Sequence, residues 1–215
     1  VGSRRKCGAA ILSSRGALRS GAGLVTAAIP ESIAAIIAAG QPELMTEPLS
    51  DFEGYFAAPH AIDRLKSLAG GMSALVAGPG IGVSDATREL VEWLVGEGAQ
   101  PKRPLLLDAD ALNLLAAHGT STASSAHEIV GALDDELPKS RPSTTPGPAM
   151  LKSAHGPVVL TPHPGEMARL LGISTAAVNA DRIGAARRLV DLTGAAVLLK
   201  GARTEIVGLI PKIIP

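Results

Sequence analysis

A short apolar run that ends in two prolines around a histidine, and then passes directly into a helix, leaves a chain few ways to fold. Val158, Val159 and Leu160 form such a run, with the β-branched content of a buried strand. Pro162 and Pro164 permit neither a continuing ladder nor an immediate helix, so the backbone turns at the carboxyl end of the strand. Gly165 allows close approach of a ligand, and Met167, Leu170 and Leu171 fall at helical spacing. A strand, a stiff turn and a helix N-terminus are what an open α/β sheet offers a ligand at its strand ends. His163 lies in that turn and has two readings: it faces a ligand, or it is hydrogen-bonded locally.

The same succession recurs along the chain. Residues 74–77 predict a buried strand that delivers Gly78-Pro79-Gly80-Ile81-Gly82, a turn whose backbone N–H groups are open to a ligand. Its glycine spacing is not that of a dinucleotide-binding fingerprint. Residues 104–107 predict another strand, ending in Asp108-Ala109-Asp110-Ala111-Leu112-Asn113. Asp110 reads as the cap of the helix that follows, and Asp108 as the carboxylate facing a site. The last clear strand, 195–199, runs into Lys200-Gly201-Ala202-Arg203-Thr204. A cation and a hydroxyl around a glycine read as a phosphate-binding turn or as the turn of a hairpin.

Upstream, Gly2 and Ser3 read as a strand end entering a glycine turn, with a helix from Gly8 that carries Ile11, Leu12 and Leu18. A strand at 24–29 is closed by Pro30, a short helix follows at 31–39, and 41–45 lead into a connector of low periodicity. Helices are expected at 61–68, from a cap at Asp85 through Leu94, and at 180–192, the last with Arg182, Arg187, Arg188 and Asp191 turned to solvent. Ser, Thr and Pro dominate 119–125 and again 138–148, on either side of a weak helix near 129–133, and 118–157 reads as a long mobile loop or insertion within one domain. Alternating helices and short apolar strands predict an α/β fold with a mainly parallel sheet covered on both faces. The turns at 78–82, 108–113, 161–166 and 200–204 all follow strands, so they are expected along one edge.

Composition narrows the function classes. Lys plus Arg and Asp plus Glu are both 20, which leaves no nucleic-acid or anionic-membrane footprint. Aromatic residues are 2%, too few for a stacking platform on single strands. The single cysteine, Cys7, excludes an intrachain disulfide and fits a reducing compartment. With no apolar run near the ~20 residues of a membrane span and no signal peptide at the start, a cytoplasmic location is expected.

Seven pieces, in order, carry a resemblance. They are Gly2-Ser3 with Gly8-Ala9-Ala10, then Arg19 through Val25, Pro42-Glu43-Leu44-Met45, Gly78-Pro79-Gly80, Asp108 through Asn113, Thr161 through Glu166, and Leu199-Lys200-Gly201 with Thr204. Together they resemble the ADP- or ATP-dependent NAD(P)H-hydrate dehydratases, a branch of the ribokinase-like fold. The resemblance implies a three-layer α/β/α domain over residues 1–215. It implies ADP-dependent removal of water from a hydrated nicotinamide ring, a carbon–oxygen lyase reaction of metabolite repair. Phosphorylation of the ring hydroxyl makes phosphate the leaving group, and elimination restores the dihydronicotinamide.

By position, the resemblance assigns Ala9, Gly80 and His163 to the hydrated dinucleotide and Lys200, Gly201, Ala202, Arg203 and Thr204 to the adenine nucleotide. Asp108 and Asn113 face the site in this reading. ADP or ATP with Mg²⁺ is the implied phosphoryl donor, NAD(P)H hydrate the substrate, and a homo-oligomer the implied state of a full-length form; no resident metal site is expected. The histidine-containing turn resembles members that use ADP. The family's first strand has no match before Val1, and its glycine-rich anion hole with a catalytic aspartate has none after Thr204. The domain is therefore expected to be incomplete, with no catalytic residue to name, and the 215-residue chain alone is expected not to turn over. The other readings are a different ribokinase-like kinase acting on a small molecule and a non-catalytic nucleotide-binding remnant.

Overall fold

The computed structural model describes residues 2–58, 60–117 and 147–208. Helix α1 (Cys7–Arg19) leads to β1 (Thr26–Pro30), a 3-10 turn at Glu31–Ile33 and α2 (Ala34–Gly40). Strand β2 (Met45–Leu49) precedes a hairpin of β3 (Asp51–Phe52) and β4 (Tyr55–Phe56), then α3 (His60–Ala69). Next come β5 (Leu75–Ala77), α4 (Asp85–Trp93) with a π-turn at Leu94–Gly98, β6 (Leu105–Leu107) and α5 (Asp110–Ala117). A 3-10 helix at Gly147–Ser153 leads to β7 (Val158–Leu160), α6 (Pro164–Leu171), α7 (Thr175–Ala180), α8 (Arg182–Thr193), β8 (Ala196–Leu199) and β9 (Glu205–Val207).

The expected mainly parallel α/β architecture is present. Strands β5, β6, β7 and β8 lie side by side and parallel, and β9 closes the edge antiparallel. The register pairs Ala77 with Leu107 and Leu107 with Leu160, so the strands end level with one another. These strands are only three or four residues long, yet Leu105, Leu107, Leu160 and Leu199 are fully buried. They pack with Leu112, Leu114 and Leu115 of α5, Met167 of α6 and Leu189 of α8 in one core. Burying each such side chain stabilises by about 1.5–3 kcal/mol, which offsets the small number of ladder bonds. A smaller cluster of Ala10, Ala27, Ile29, Ile33, Ile37 and Leu44 holds α1 and α2 to β1.

Several local expectations need correction. The stretch after Gln41 is not an irregular connector: Met45–Leu49 is a strand parallel to β1. It escapes a reading by propensity because Glu47 and Pro48 break it, and proline is tolerated there because β2 is an edge strand. Gly2 and Ser3 lie outside any strand. Ser84, not Asp85, caps α4, its hydroxyl accepting from Thr87 N–H while Thr87 Oγ1 accepts from Ser84 N–H. The helix predicted over 180–192 begins at Arg182, after Asp181 accepts from Gly184 N–H at 2.9 Å and caps it. Val76 is exposed because β1 and β5 are not paired among the described residues. Residues of both strands, with α1, α3 and α4, line an apolar groove of about 300 Å³. Of the segment read as an insertion, 118–146 lie outside the described residues, while Gly147–Ser153 is helical and places Leu151 in the core.

The β3–β4 hairpin carries a pH-sensitive tie. Asp51 accepts from Ser32 N–H at 2.8 Å, Ser32 Oγ at 2.7 Å and Gly54 N–H at 3.3 Å. Burial pushes its carboxyl up, and the Ser32 and Gly54 donors outweigh that and hold it below its ordinary value. A depressed carboxyl contributes stability above its unfolded value, about pH 4, and loses it as pH falls through the folded value. Melting temperatures of the wild type and Asp51→Asn should therefore differ at neutral pH and converge in acid. Parallel curves across that range would contradict the assignment.

Candidate functional site at the carboxyl edge of the sheet

The four turns predicted to share an edge do so, because each follows one of four adjacent parallel strands. The turn after β6 is the hub. Ala109 adopts φ 50°, a left-handed conformation that is costly for a residue with a Cβ. It separates the two carboxylates of the turn. Asp108 Oδ1 accepts from Lys200 Nζ, beyond β8, at 2.6 Å. Asp110 Oδ2 accepts from Lys6 Nζ at 2.8 Å and from Gly82 N–H at 2.9 Å. Asp110 is therefore not engaged as a local cap; it ties α1 and the glycine turn to α5. Asn113 Oδ1 accepts from Arg169 Nε at 2.9 Å, so its carbonyl end is already occupied.

Ala9 and Gly80 are brought together. A Cβ at Gly80 would lie 2.9 Å from Ala9 Cβ and 3.0 Å from Lys6 Cβ, and Gly80 has φ +74°. Glycine is required here on both counts, since the start of α1 rests directly on the turn. His163 follows β7, two strands from β5, hence about 10 Å along the edge from the glycine turn.

His163 is held locally through both of its nitrogens. It is the N-cap of α6, and Nδ1 accepts from Gly165 N–H at 3.0 Å and Glu166 N–H at 3.3 Å. An accepting Nδ1 places the proton of the neutral ring on Nε2, which lies 3.3 Å from Glu166 Oε1. The side chain is half exposed. Glu166 is 5% exposed; Oε2 accepts from His163 N–H at 2.8 Å and lies 3.9 Å from Lys200 Nζ.

Lys200 thus has two carboxylates near its ammonium and is not a free cation. The 200–204 turn is the turn of the β8–β9 hairpin, and Thr204 Oγ1 donates to Gly201 O at 3.2 Å. Residues 201–204 are exposed. Three participants were not read from the sequence. Lys6 and Glu166 carry no assigned role in the sequence, and Arg182 is expected in solvent. Glu166 alone left a signal, since a carboxylate three residues after an N-cap is the second half of a capping box, with histidine in the place of serine. Among the described residues no group of three His, Cys, Asp or Glu side chains could hold a metal ion. No helix among them is long and apolar enough to cross a membrane.

The family model for NAD(P)H-hydrate dehydratase matches residues 1–131 and 146–209. A bifunctional NAD(P)H-hydrate repair enzyme of Moorella thermoacetica is 37% identical over 205 residues, covering 95% of this chain and 33% of that protein. The Escherichia coli enzyme of the same description is 32% identical over 206 residues, covering 95% and 30%. The chain thus spans about a third of the length of these relatives. Among solved structures, a ribokinase-like superfamily protein from Enterococcus faecalis superposes with TM-score 0.67 at 21% identity, covering 96% of this chain and 57% of that one. The ADP/ATP-dependent NAD(P)H-hydrate dehydratase of Bacillus subtilis, co-crystallised with ATP/Mg²⁺ and soaked with CoA, gives 0.62 at 24%, covering 96% and 59%.

A mainly parallel sheet with its loops gathered at one edge, and these structural neighbours, define a ribokinase-like α/β fold. By the match of the family model, the chain belongs to the NAD(P)H-hydrate dehydratase family.

Proposed function

We propose that this chain serves the ADP-dependent dehydration of NAD(P)H hydrate, with ADP yielding AMP and phosphate as the hydrated ring returns to NAD(P)H. The observation that carries the reading is that the glycine turn at 78–82, the His163 turn and the 200–204 turn occupy one sheet edge, with Ala9 seated on Gly80. Ala9, Gly80 and His163 contact the hydrated dinucleotide, and residues 200–204 contact the adenine nucleotide. A loop edge about four strands wide suits two such ligands lying end to end. Phosphorylation of the ring hydroxyl by the nucleotide converts a poor leaving group into phosphate, and elimination follows. The protein acts in the cytoplasm, as a homo-oligomer.

The described residues supply no cage for Mg²⁺: Asp108 and Glu166 are turned to Lys200, and Asp110 to Lys6. The ion arrives with the nucleotide phosphates, as Mg²⁺ commonly does, and no step is assigned to a residue through it.

His163, half exposed at the turn, positions the hydrated ring and is not the principal base. Because it also caps α6, the informative variant is His163→Asn, which keeps a capping side chain and removes the imidazole. Calorimetry should show affinity for hydrated NADH reduced on the order of tenfold, the worth of one hydrogen bond, with ADP affinity unchanged. Unchanged affinity for hydrated NADH in a folded variant would remove His163 from the substrate site. Failure of the wild type to bind hydrated NADH would overturn the function.

A further inference from the structure

Arg182 was expected at the surface, yet it is half buried beneath the 200–204 turn. Its Nη2 donates to three backbone carbonyls: Leu199 O at 3.1 Å, Lys200 O at 3.2 Å and Arg203 O at 3.0 Å. Gly201 lies against the same guanidinium, since a Cβ there would be 2.8 Å from Nη2. One planar cation thus gathers the carbonyls of both ends of the turn.

Peptide planarity converts that arrangement into a prediction about the outer face. In a trans peptide the C=O and the following N–H point in opposite directions. The Leu199 carbonyl faces Arg182, and the next N–H, that of Lys200, donates on the other side to Pro162 O at 2.8 Å, in the His163 turn. By the same geometry, inward carbonyls at Lys200 and Arg203 direct the N–H groups of Gly201 and Thr204 outward. Neither N–H has an acceptor among the described residues. Two outward N–H groups in a short turn, backed by a half-buried cation, form a donor surface suited to phosphate oxygens. The Lys200 ammonium, held by Asp108, does not supply this surface.

We propose that Arg182 is the positioning residue of the nucleotide turn, orienting the Lys200–Gly201 and Arg203–Thr204 peptides so that their N–H groups bind a nucleotide phosphate. The inference rests on the reading of 200–204 as the nucleotide site. It makes Arg182 a determinant of nucleotide affinity without contact to the nucleotide, and it gives Gly201 a reason to be glycine.

The test uses Arg182→Met, which keeps the stem, and Arg182→Lys, which keeps the charge without the planar fork. Calorimetry with Mg²⁺–ADP and, separately, with hydrated NADH is combined with the amide resonances of Gly201 and Thr204. In the wild type, ADP should shift both resonances. In Arg182→Met, the two resonances should move without ligand, ADP affinity should fall roughly tenfold or more, and hydrated NADH affinity should stay unchanged. Added guanidinium should restore part of the ADP affinity, which a merely structural loss would not permit. Arg182→Lys should lose affinity in the same direction, and it carries the test if the methionine variant does not fold. Wild-type ADP affinity in a folded variant overturns the role of Arg182 while leaving the nucleotide turn intact. Wild-type protein whose Gly201 and Thr204 amides ignore ADP overturns the turn as nucleotide site, and the inference with it.

Discussion

Gly78→Ala should abolish the native fold or cost at least about 3–5 kcal/mol, the upper range for a single substitution. Gly78 has φ +123°, and a Cβ built there would overlap the Asp108 carbonyl oxygen and come within 3.0 Å of Ala111 Cβ. Two effects act together: a backbone conformation that L side chains rarely adopt, and a collision with backbone that cannot rotate away. The collision partner belongs to the hub turn, so relief would displace both Asp108 and the start of α5. Gly8 and Gly16 provide the contrast. Both lie in α1 with nothing within 4 Å of an added Cβ, so Gly16→Ala should stabilise by roughly 0.5–1 kcal/mol. Urea melts of the two alanine variants measure the difference; equal stabilities would show that the glycine turn is not packed against Asp108.

The second large effect concerns Lys200. Its ammonium is bonded to Asp108 at 2.6 Å and lies 3.9 Å from Glu166, which is 5% exposed. Lys200→Met keeps the apolar stem and leaves Asp108 and Glu166 without the cation that lies near both. Breaking a fully buried pair costs about 3–5 kcal/mol, but Lys200 is partly exposed and solvent screens part of that. A loss of roughly 1–3 kcal/mol is expected. The Lys200→Met, Asp108→Asn double variant should recover much of it, because the uncompensated charge is gone. A double-mutant cycle from urea melts reads the coupling directly. Additive single effects would mean that the pair is an exposed contact of no consequence. By this account Lys200 affects nucleotide binding through the shape of the edge and not as a ligand cation.

The parts of the fold legible in the sequence were those in which a short apolar run met a turn residue. Strands β5 to β8 are such runs, and their order along the chain already placed their turns on one edge. Strand β2 was hidden because its apolar content is broken by Glu47 and Pro48, and its pairing with β1 is a long-range fact. The site was legible as residue types but not as partnerships. Asp110 next to a helix start reads as a cap; that Lys6, 104 residues away, claims it depends on where α1 rests. Lys200 beside a glycine reads as a phosphate ligand, and only the adjacency of β6, β7 and β8 brings Asp108 to it. Arg182 sits at the first position of an amphipathic helix, where its long stem reaches the turn beyond β8, a direction that periodicity does not encode.

In the proposed function one sheet edge holds two ligands, the hydrated dinucleotide toward β5 and β7 and the adenine nucleotide beyond β8. Amide hydrogen exchange, with each ligand added separately, maps this most directly. Hydrated NADH should slow exchange at 78–82 and 163–166 and leave 200–204 unchanged, while Mg²⁺–ADP should slow exchange at 200–204. Protection by either ligand at the opposite end of the strands, or none along this edge, would contradict the account.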